Sequence, residues 1–426
     1  MNCVEHQKGY GLRFLKLEAS ELENQSTDIL IIGGGMVGLC IARALICSKD
    51  KLKVTILEKE SEIGEHSSGR NSGVIHSGIY YKSGTLKARV CSQGGRKLKE
   101  WVKKNDLQIN ECGKIITPQD IHLDGILDEL EVRGKSNGVA ANIITKTELQ
   151  KRFPGVRTAT DRALFVQTTA VVNPKKVLLK LKGELEEKQV KFIFNEDAIA
   201  SEIDEFCVKL EGGTRIKYKY LFNCAGLGAD LVAHKLDIGS EYTIMPFKGL
   251  YWKIKCTSEL NISTNVYPVP DLNLPFLGVH FTPNAEKNQI SIGPTATFAF
   301  GRENYQRLEG IEPIQAVSNL RKLCELYITN KGGIREYVHE QSMLALKPFL
   351  VESARKLIPA IKSSDLEVST KVGIRSQLFN NKTMKLENDF ICISKTNSTH
   401  VLNAISPAFT SGFALADEII KISGIC

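Results

Sequence analysis

Gly33, Gly35 and Gly38 in the run GGGMVG hold a GxGxxG spacing, in which a tight backbone turn presents amide N–H groups to a pyrophosphate. Twenty residues past Gly38, Glu58 closes a second apolar run. A carboxylate there accepts hydrogen bonds from a ribose and repels a 2′-phosphate. The chemistry indicated is dinucleotide binding; the plainer alternative is a glycine-rich turn without a ligand. A second turn, LFNCAGLGAD from Leu221 to Asp230, puts Ala225 and Gly226 where backbone could approach the same ligand, although an ordinary strand-to-helix connection reads equally well. The loop HSSGRNSGVIHSGIYY, His66 to Tyr81, is built from small polar residues that cannot fill a core, followed by His76 and two tyrosines. Backbone lying against a flat ligand would need that composition, and a solvent loop is its alternative.

The surrounding pattern supplies elements to position these groups. A short apolar run, Asp28 to Ile32, leads into the glycines, an amphipathic stretch reaches Ser48, and a second apolar run spans Lys53 to Leu57. That order predicts strand, turn, helix and strand. Helical periodicity returns from Thr85 to Asn105, and strand-like runs at Val190–Phe194 and Lys219–Asn223 continue the α/β pattern. Alternating runs at Gly249–Ile254, Phe276–Thr282 and Gln289–Ile292 predict an antiparallel sheet. A helix at Ile314–Tyr327 is followed by loops, then a strand at Phe390–Ser394 and a last helix at Thr410–Ile422. The fold expected is α/β: a Rossmann-like domain made of 27–105, 166–240 and 366–426, with an inserted antiparallel-sheet substrate domain (α+β) of 106–165 and 241–365. Residues 1–26 form an N-terminal extension.

A chain of 426 residues exceeds one ordinary core, and 42% hydrophobic with 24% charged residues excludes disorder and coiled coil. The 56 basic residues against 48 acidic ones, net +8, suit an anionic ligand, but they form no basic run, so nucleic acid is set aside. Eleven cysteines without a CxxC pair indicate neither a metal cluster nor a disulfide framework, and point to a reducing compartment. The longest apolar stretch, Ile29–Ala42, has fourteen residues. A spanning helix needs about 20, so no transmembrane segment is expected.

Several long segments carry a resemblance. The His66–Tyr81 loop, NVYPVPDLNLPFLGVHFTP (Asn265–Pro283), ISIGPTATFAF (Ile290–Phe300), VGIRSQ (Val372–Gln377) and NAISPAFTSGFALADEI (Asn403–Ile419) together resemble the L-2-hydroxyglutarate dehydrogenase family, FAD-dependent oxidoreductases built like D-amino-acid oxidase. The likeness runs from about Asp28 to the C-terminus. It implies FAD as cofactor and oxidation of L-2-hydroxyglutarate, a small dicarboxylate, to 2-oxoglutarate. Three positions depart from the family's usual residues: Lys248 replaces an arginine, Leu250 an acid and Ile405 a proline.

Oxidising an α-hydroxy acid needs a cation for the carboxylate, a base for the hydroxyl proton and a flavin N5 to take the α-hydride. Arg375 in the GIR triplet resembles the carboxylate-binding arginine of the wider superfamily, and its guanidinium suits bidentate binding; a surface arginine is its alternative. His280 and His76 are the candidate bases; each could instead be a core histidine bonded to backbone. Lys248 and Tyr267 are candidates for the distal carboxylate or the hydroxyl, and a snorkelling lysine and a buried sheet tyrosine read equally well. The expected FAD contacts are Gly33, Gly35, Met36, Val37, Gly38, Glu58, Lys59, Ser68, Arg70, Asn71, Ser72, Gly73, Val74, Ala198, Ala225, Gly226, Ser406, Pro407 and Ala408.

By resemblance, electrons leave to an unidentified acceptor other than NAD, a quinone-linked one among the options. A mitochondrial location and peripheral membrane association are implied too, although the acids in 1–26 do not read as a transit peptide. The alternatives are an oxidase or dehydrogenase of another small acid, such as an amino acid or glycerol 3-phosphate, and a non-catalytic FAD-binding protein. A purely structural site would need the glycine turn and Glu58 but not His76, His280 and Arg375.

Overall fold

The apolar run after Thr27 becomes a central strand, Asn24–Ile32, of an eight-stranded sheet in the computed structural model, which describes residues 24–48, 51–270, 278–330 and 333–425. Side chains alternate across a strand, so Ile29 and Ile31 enter one core layer while Leu30 and Ile32 enter another. Burial on both faces is why the run is apolar at every position rather than at every second one. The first layer packs under the helices Met36–Ser48, Leu86–Lys104, Pro174–Glu187 and Ala408–Ser423. Two of these cross backbone to backbone: a Cβ on Gly94 would stand 2.6 Å from the Cα of Ser411.

Five strands of this sheet run parallel, in the order Lys191–Ile193, Val54–Leu57, Asn24–Ile32, Arg215–Asn223 and Ser398–Val401. This is the expected α/β arrangement. Their carboxyl ends, at Ile32, Leu57, Asn223 and Val401, share one edge, where open α/β sheets bind ligands.

A ten-stranded sheet carries Lys248, Tyr267, His280 and Arg375, while His76 follows the short strand Val74–Ile75 of a three-stranded sheet. The backbone of the ten-stranded sheet is the pairing of Tyr242–Ile254 with Leu366–Asn380, antiparallel with Phe247 opposite Arg375 and Lys248 opposite Ile374. Ile290–Gly293, His280–Pro283 and Asn265–Pro268 follow in antiparallel order. The expected antiparallel sheet has one parallel pair, Asn265–Pro268 with Lys114–Thr117.

Three expectations need correction. Residues after Tyr327 are not loops: helices span Ile334–Leu344 and Lys347–Arg355. Ile334, Tyr337, Gln341 and Leu344 recur at helical spacing on the buried face, and Pro348 lies in a first turn, where its missing N–H costs nothing. Residues 366–380 belong to the second sheet, not to the dinucleotide-binding part, because their backbone pairs with Tyr242–Ile254 along nearly its whole length. The first strand begins at Asn24, inside the expected extension of 1–26, and residues 1–23 and part of the run Phe276–Thr282 lie outside the described residues.

Candidate active site

At the end of the first strand Gly33 takes φ +104°, and a Cβ on it would stand 2.4 Å from the Cys224 carbonyl oxygen. The two turns foreseen from sequence therefore touch, and glycine is required for the contact. Gly38 serves the helix: a Cβ there would stand 2.1 Å from the Gly33 carbonyl oxygen. Gly35, Met36 and Val37 face a cavity of about 620 Å³ that runs from this turn to the second sheet. A Cβ on Gly35 would come within 2.9 Å of Ser68 Oγ, which accepts a hydrogen bond from the Met36 amide at 3.0 Å. Glu58, 8% exposed, is held by the Gly34 amide on Oε2 at 2.8 Å and the Glu60 amide on Oε1 at 3.1 Å.

The small-residue loop forms the next stretch of wall. Ser67 Oγ donates to the Ile374 carbonyl at 2.8 Å, tying the loop to the strand of Arg375. Asn71 Oδ1 accepts from the Gly73 amide at 2.9 Å, and Gly73 is required because a Cβ would stand 2.0 Å from the Val172 carbonyl oxygen. Ser68, Arg70, Asn71, Ser72, Val74, Gly226, Ser406, Pro407 and Ala408 all line the cavity. Arg70 is also committed elsewhere, its guanidinium 4.2 Å from the Tyr305 ring centre. The last helix starts at Ala408, so its N-terminal amides face the same space.

An adenosine end would extend past this cavity. Gly33, Gly38, Glu58, Lys59, Gly73, Ala198 and Ala225 do not line it. Ala198 is packed in the second core layer with Leu30 and Ile32. Lys59 Nζ binds Glu60 Oε1 at 2.9 Å and also Glu303, so it fills the cation position among Glu60, His66 and Glu303, three residues close enough to hold a metal. The cradle without a Cβ at Gly35, the helix amides beside it and Glu58 at the next strand end fit a flavin dinucleotide. Gly35→Val should leave a folded but FAD-poor protein. Overpacking of about 1–3 kcal/mol corresponds to roughly one to two decades of affinity, read as flavin absorbance per protein.

The far end is built by the second sheet. Arg375 and Phe247, opposite each other, both line the cavity. Lys248, one residue on, does not: its Nζ donates to Asn304 Oδ1 at 2.9 Å and to the Gln306 carbonyl at 3.4 Å. Successive strand residues point to opposite faces, so the lysine expected at the substrate pins the 304–306 loop instead.

His280 and Tyr267 meet in a stack, ring centres 3.9 Å apart at 20°. His280, 5% exposed, has Nδ1 2.8 Å from the Gly278 carbonyl oxygen. A carbonyl only accepts, so Nδ1 carries the hydrogen and Nε2 is left as an acceptor. Burial, reinforced by the charge of Lys114, pulls its pKa down to about 4, so the ring is neutral at pH 7. His76 lines the same cavity, its amide donating to Thr410 Oγ1 at 3.0 Å. Burial, then the charges of Lys114, His280 and Lys87, hold it well below the ordinary histidine range.

Two lysines here were not foreseen. Lys114, 0% exposed, places Nζ 4.2 Å from the Tyr267 ring centre and 4.9 Å from that of Tyr80, and burial pulls it down to about 7. Lys87 lies in the cavity wall on the helix Leu86–Lys104. The available signal was periodicity: Lys87 shares helical spacing with the buried Cys91, Gly94 and Leu98.

Known proteins bear on this geometry. Residues 28–422 match the family model described as FAD dependent oxidoreductase. The chain is 34% identical to the mitochondrial L-2-hydroxyglutarate dehydrogenase of Nematostella vectensis, covering 96% of this chain and 92% of that protein. It is 32% identical to the mitochondrial human enzyme of the same name, covering 92% and 89%. The L-2-hydroxyglutarate dehydrogenase of Indibacter alkaliphilus is 34% identical, covering 92% and 98%. Among solved structures, FAD-bound L-α-glycerophosphate oxidase from Mycoplasma pneumoniae superposes with a TM-score of 0.72 at 21% identity, covering 93% of this chain and 94% of that one. Glycine oxidase from Geobacillus kaustophilus gives 0.69 at 14%, covering 94% and 96%. These two share the fold.

Proposed function

The chain belongs to the FAD-dependent oxidoreductase family, alongside the L-2-hydroxyglutarate dehydrogenases, and from that premise we propose that it oxidises L-2-hydroxyglutarate to 2-oxoglutarate. One observation carries the reading: a single cavity joins the glycine-turn amides to Arg375 and to the neutral His280. When bound, FAD supplies the two-electron acceptor. The chain's own residues do the rest. Arg375 holds the α-carboxylate through two parallel hydrogen bonds. His280 accepts the hydroxyl proton on Nε2, with its ring orientation fixed by the Gly278 carbonyl and the Tyr267 face. The N-terminal amides of Ala408–Ser423 stabilise negative charge at the adjoining part of the cavity. Serving chemistry with this cation and base favours an enzyme over a non-catalytic FAD carrier.

Electrons pass on to an acceptor other than NAD. The names of the eukaryotic relatives support a mitochondrial location. No helix among the described residues is long and apolar enough to cross a membrane, so any membrane contact through those helices would be peripheral. Anaerobic titration of the holoenzyme is the test. L-2-hydroxyglutarate should bleach the flavin band with one equivalent and yield 2-oxoglutarate, while glycine and glycerol 3-phosphate leave it oxidised. Bleaching by either of those and not by L-2-hydroxyglutarate would move the assignment to another small acid.

A further inference from the structure

A five-carbon diacid carries two carboxylates, and Arg375 answers one. Lys248, the sequence's candidate for the other, faces the 304–306 loop. The cavity contains another cation close enough to Arg375 for the two charges to repel: Lys87, in the first turn of Leu86–Lys104. The residue is 7% exposed. Among the described residues Nζ donates once, to the Asn388 carbonyl at 2.7 Å, which leaves two of its three N–H groups for a ligand. Tyr81 and Phe390 place ring centres 5.3 Å and 5.9 Å from Nζ, so the amine is walled by aromatic faces rather than water. Asp389, whose charge partly supports that of Lys87, lines the same cavity but forms no ion pair with it, and Asp389 Oδ1 already accepts from the Phe390 amide at 2.8 Å.

We propose that Lys87 is the specificity residue for the distal carboxylate, so that Arg375 and Lys87 together select a 2-hydroxy dicarboxylate over a monocarboxylate of equal length. This rests on the functional reading above and deepens it. Two buried cations in one cavity repel each other, and burial with the charge of Arg375 pulls the Lys87 amine down to about 7. A dianion removes that conflict, because each carboxylate meets one cation. A monoacid would leave Lys87 desolvated without a directly paired carboxylate, since Asp389 forms no ion pair with it, which disfavours the monoacid.

The experiment compares L-2-hydroxyglutarate with L-2-hydroxypentanoate, which ends in a methyl group instead of the distal carboxylate. In Lys87→Met holoenzyme the ratio of their kcat/KM values should fall about 30-fold or more, mainly through KM for the diacid. A ratio equal to that of the unmodified protein overturns the proposal: a structural or flavin-side role would lower both substrates together. If Lys87→Met loses FAD, Lys87→Gln keeps a donor for the Asn388 carbonyl and carries the same comparison. Binding of glutarate against pentanoate to oxidised holoenzyme, followed by the flavin spectrum, needs no turnover. The same loss of preference there, in a protein that L-2-hydroxyglutarate does not reduce, would sink the functional reading while leaving Lys87 as a diacid anchor. Equal preference in the variant and the unmodified protein would sink the Lys87 assignment itself.

Discussion

His280→Asn slows flavin reduction by L-2-hydroxyglutarate by about 10² to 10⁴, the usual contribution of a general base, and leaves FAD content unchanged. The substitution is selective. An asparagine amide can still donate to the Gly278 carbonyl as Nδ1–H does, whereas the acceptor at Nε2 is lost. FAD occupancy should hold because His280 lies on the second sheet, away from the glycine turn. The pH dependence gives a second readout. Burial and Lys114 keep the His280 pKa at about 4, so in the free protein the base stays neutral down to that pH. The acid limb of kcat/KM from this group therefore falls towards pH 4, well below an ordinary histidine, and disappears in the asparagine variant. Stopped-flow reduction of His280→Asn and His76→Asn across pH values separates the two histidines. Full-speed reduction in His280→Asn with slow reduction in His76→Asn would transfer the role to His76, whose ring shares the cavity.

What the sequence made legible follows from which physical constraints leave a local trace. The central parallel strand is buried on both faces, so it had to be a continuous apolar run, and the glycine turn after it had to lack side chains where it meets Cys224. Those constraints act on adjacent residues and are visible without a fold. The direction of Lys248 depends on register and leaves no local trace: only the pairing of Phe247 with Arg375 puts Phe247 on the cavity side and Lys248 on the other. The sheet to which Leu366–Asn380 belongs is hidden for a related reason. That strand's partner, Tyr242–Ile254, lies more than a hundred residues upstream, and nothing local announces the pairing. Buried lysines leave the weakest trace. Lys114 stands beside Ile115 and Ile116 in a short strand, where a lysine reads as a solvated end, although its side chain is 0% exposed.

Arg375→Met lowers kcat/KM for L-2-hydroxyglutarate by about two to nearly four decades. Removing one partner of a buried charge pair costs about 3–5 kcal/mol, and each decade corresponds to about 1.36 kcal/mol. Arg375→Lys retains the charge but not the planar fork, so one of two parallel charge-assisted bonds is lost, about 1.5–3 kcal/mol or one to two decades. The expected order is unmodified protein, then lysine, then methionine. FAD content should be constant through the series, because Arg375 reaches the cavity from the second sheet and the glycine turn belongs to the first. Burial lowers the guanidinium pKa, yet an arginine stays protonated at any working pH, so the guanidinium itself contributes no pH dependence to the loss in Arg375→Met from pH 6 to 9. A pH-dependent loss would mean that the mutation acts through a titrating neighbour. The cavity offers one such neighbour: Lys87, whose pKa is pulled down to about 7 partly by the Arg375 charge and would rise when that charge is removed. Steady-state kinetics of Arg375→Met with and without Lys87→Met decides between these outcomes. Additive losses assign separate carboxylates to the two cations. A second substitution without further effect would place both on the same carboxylate.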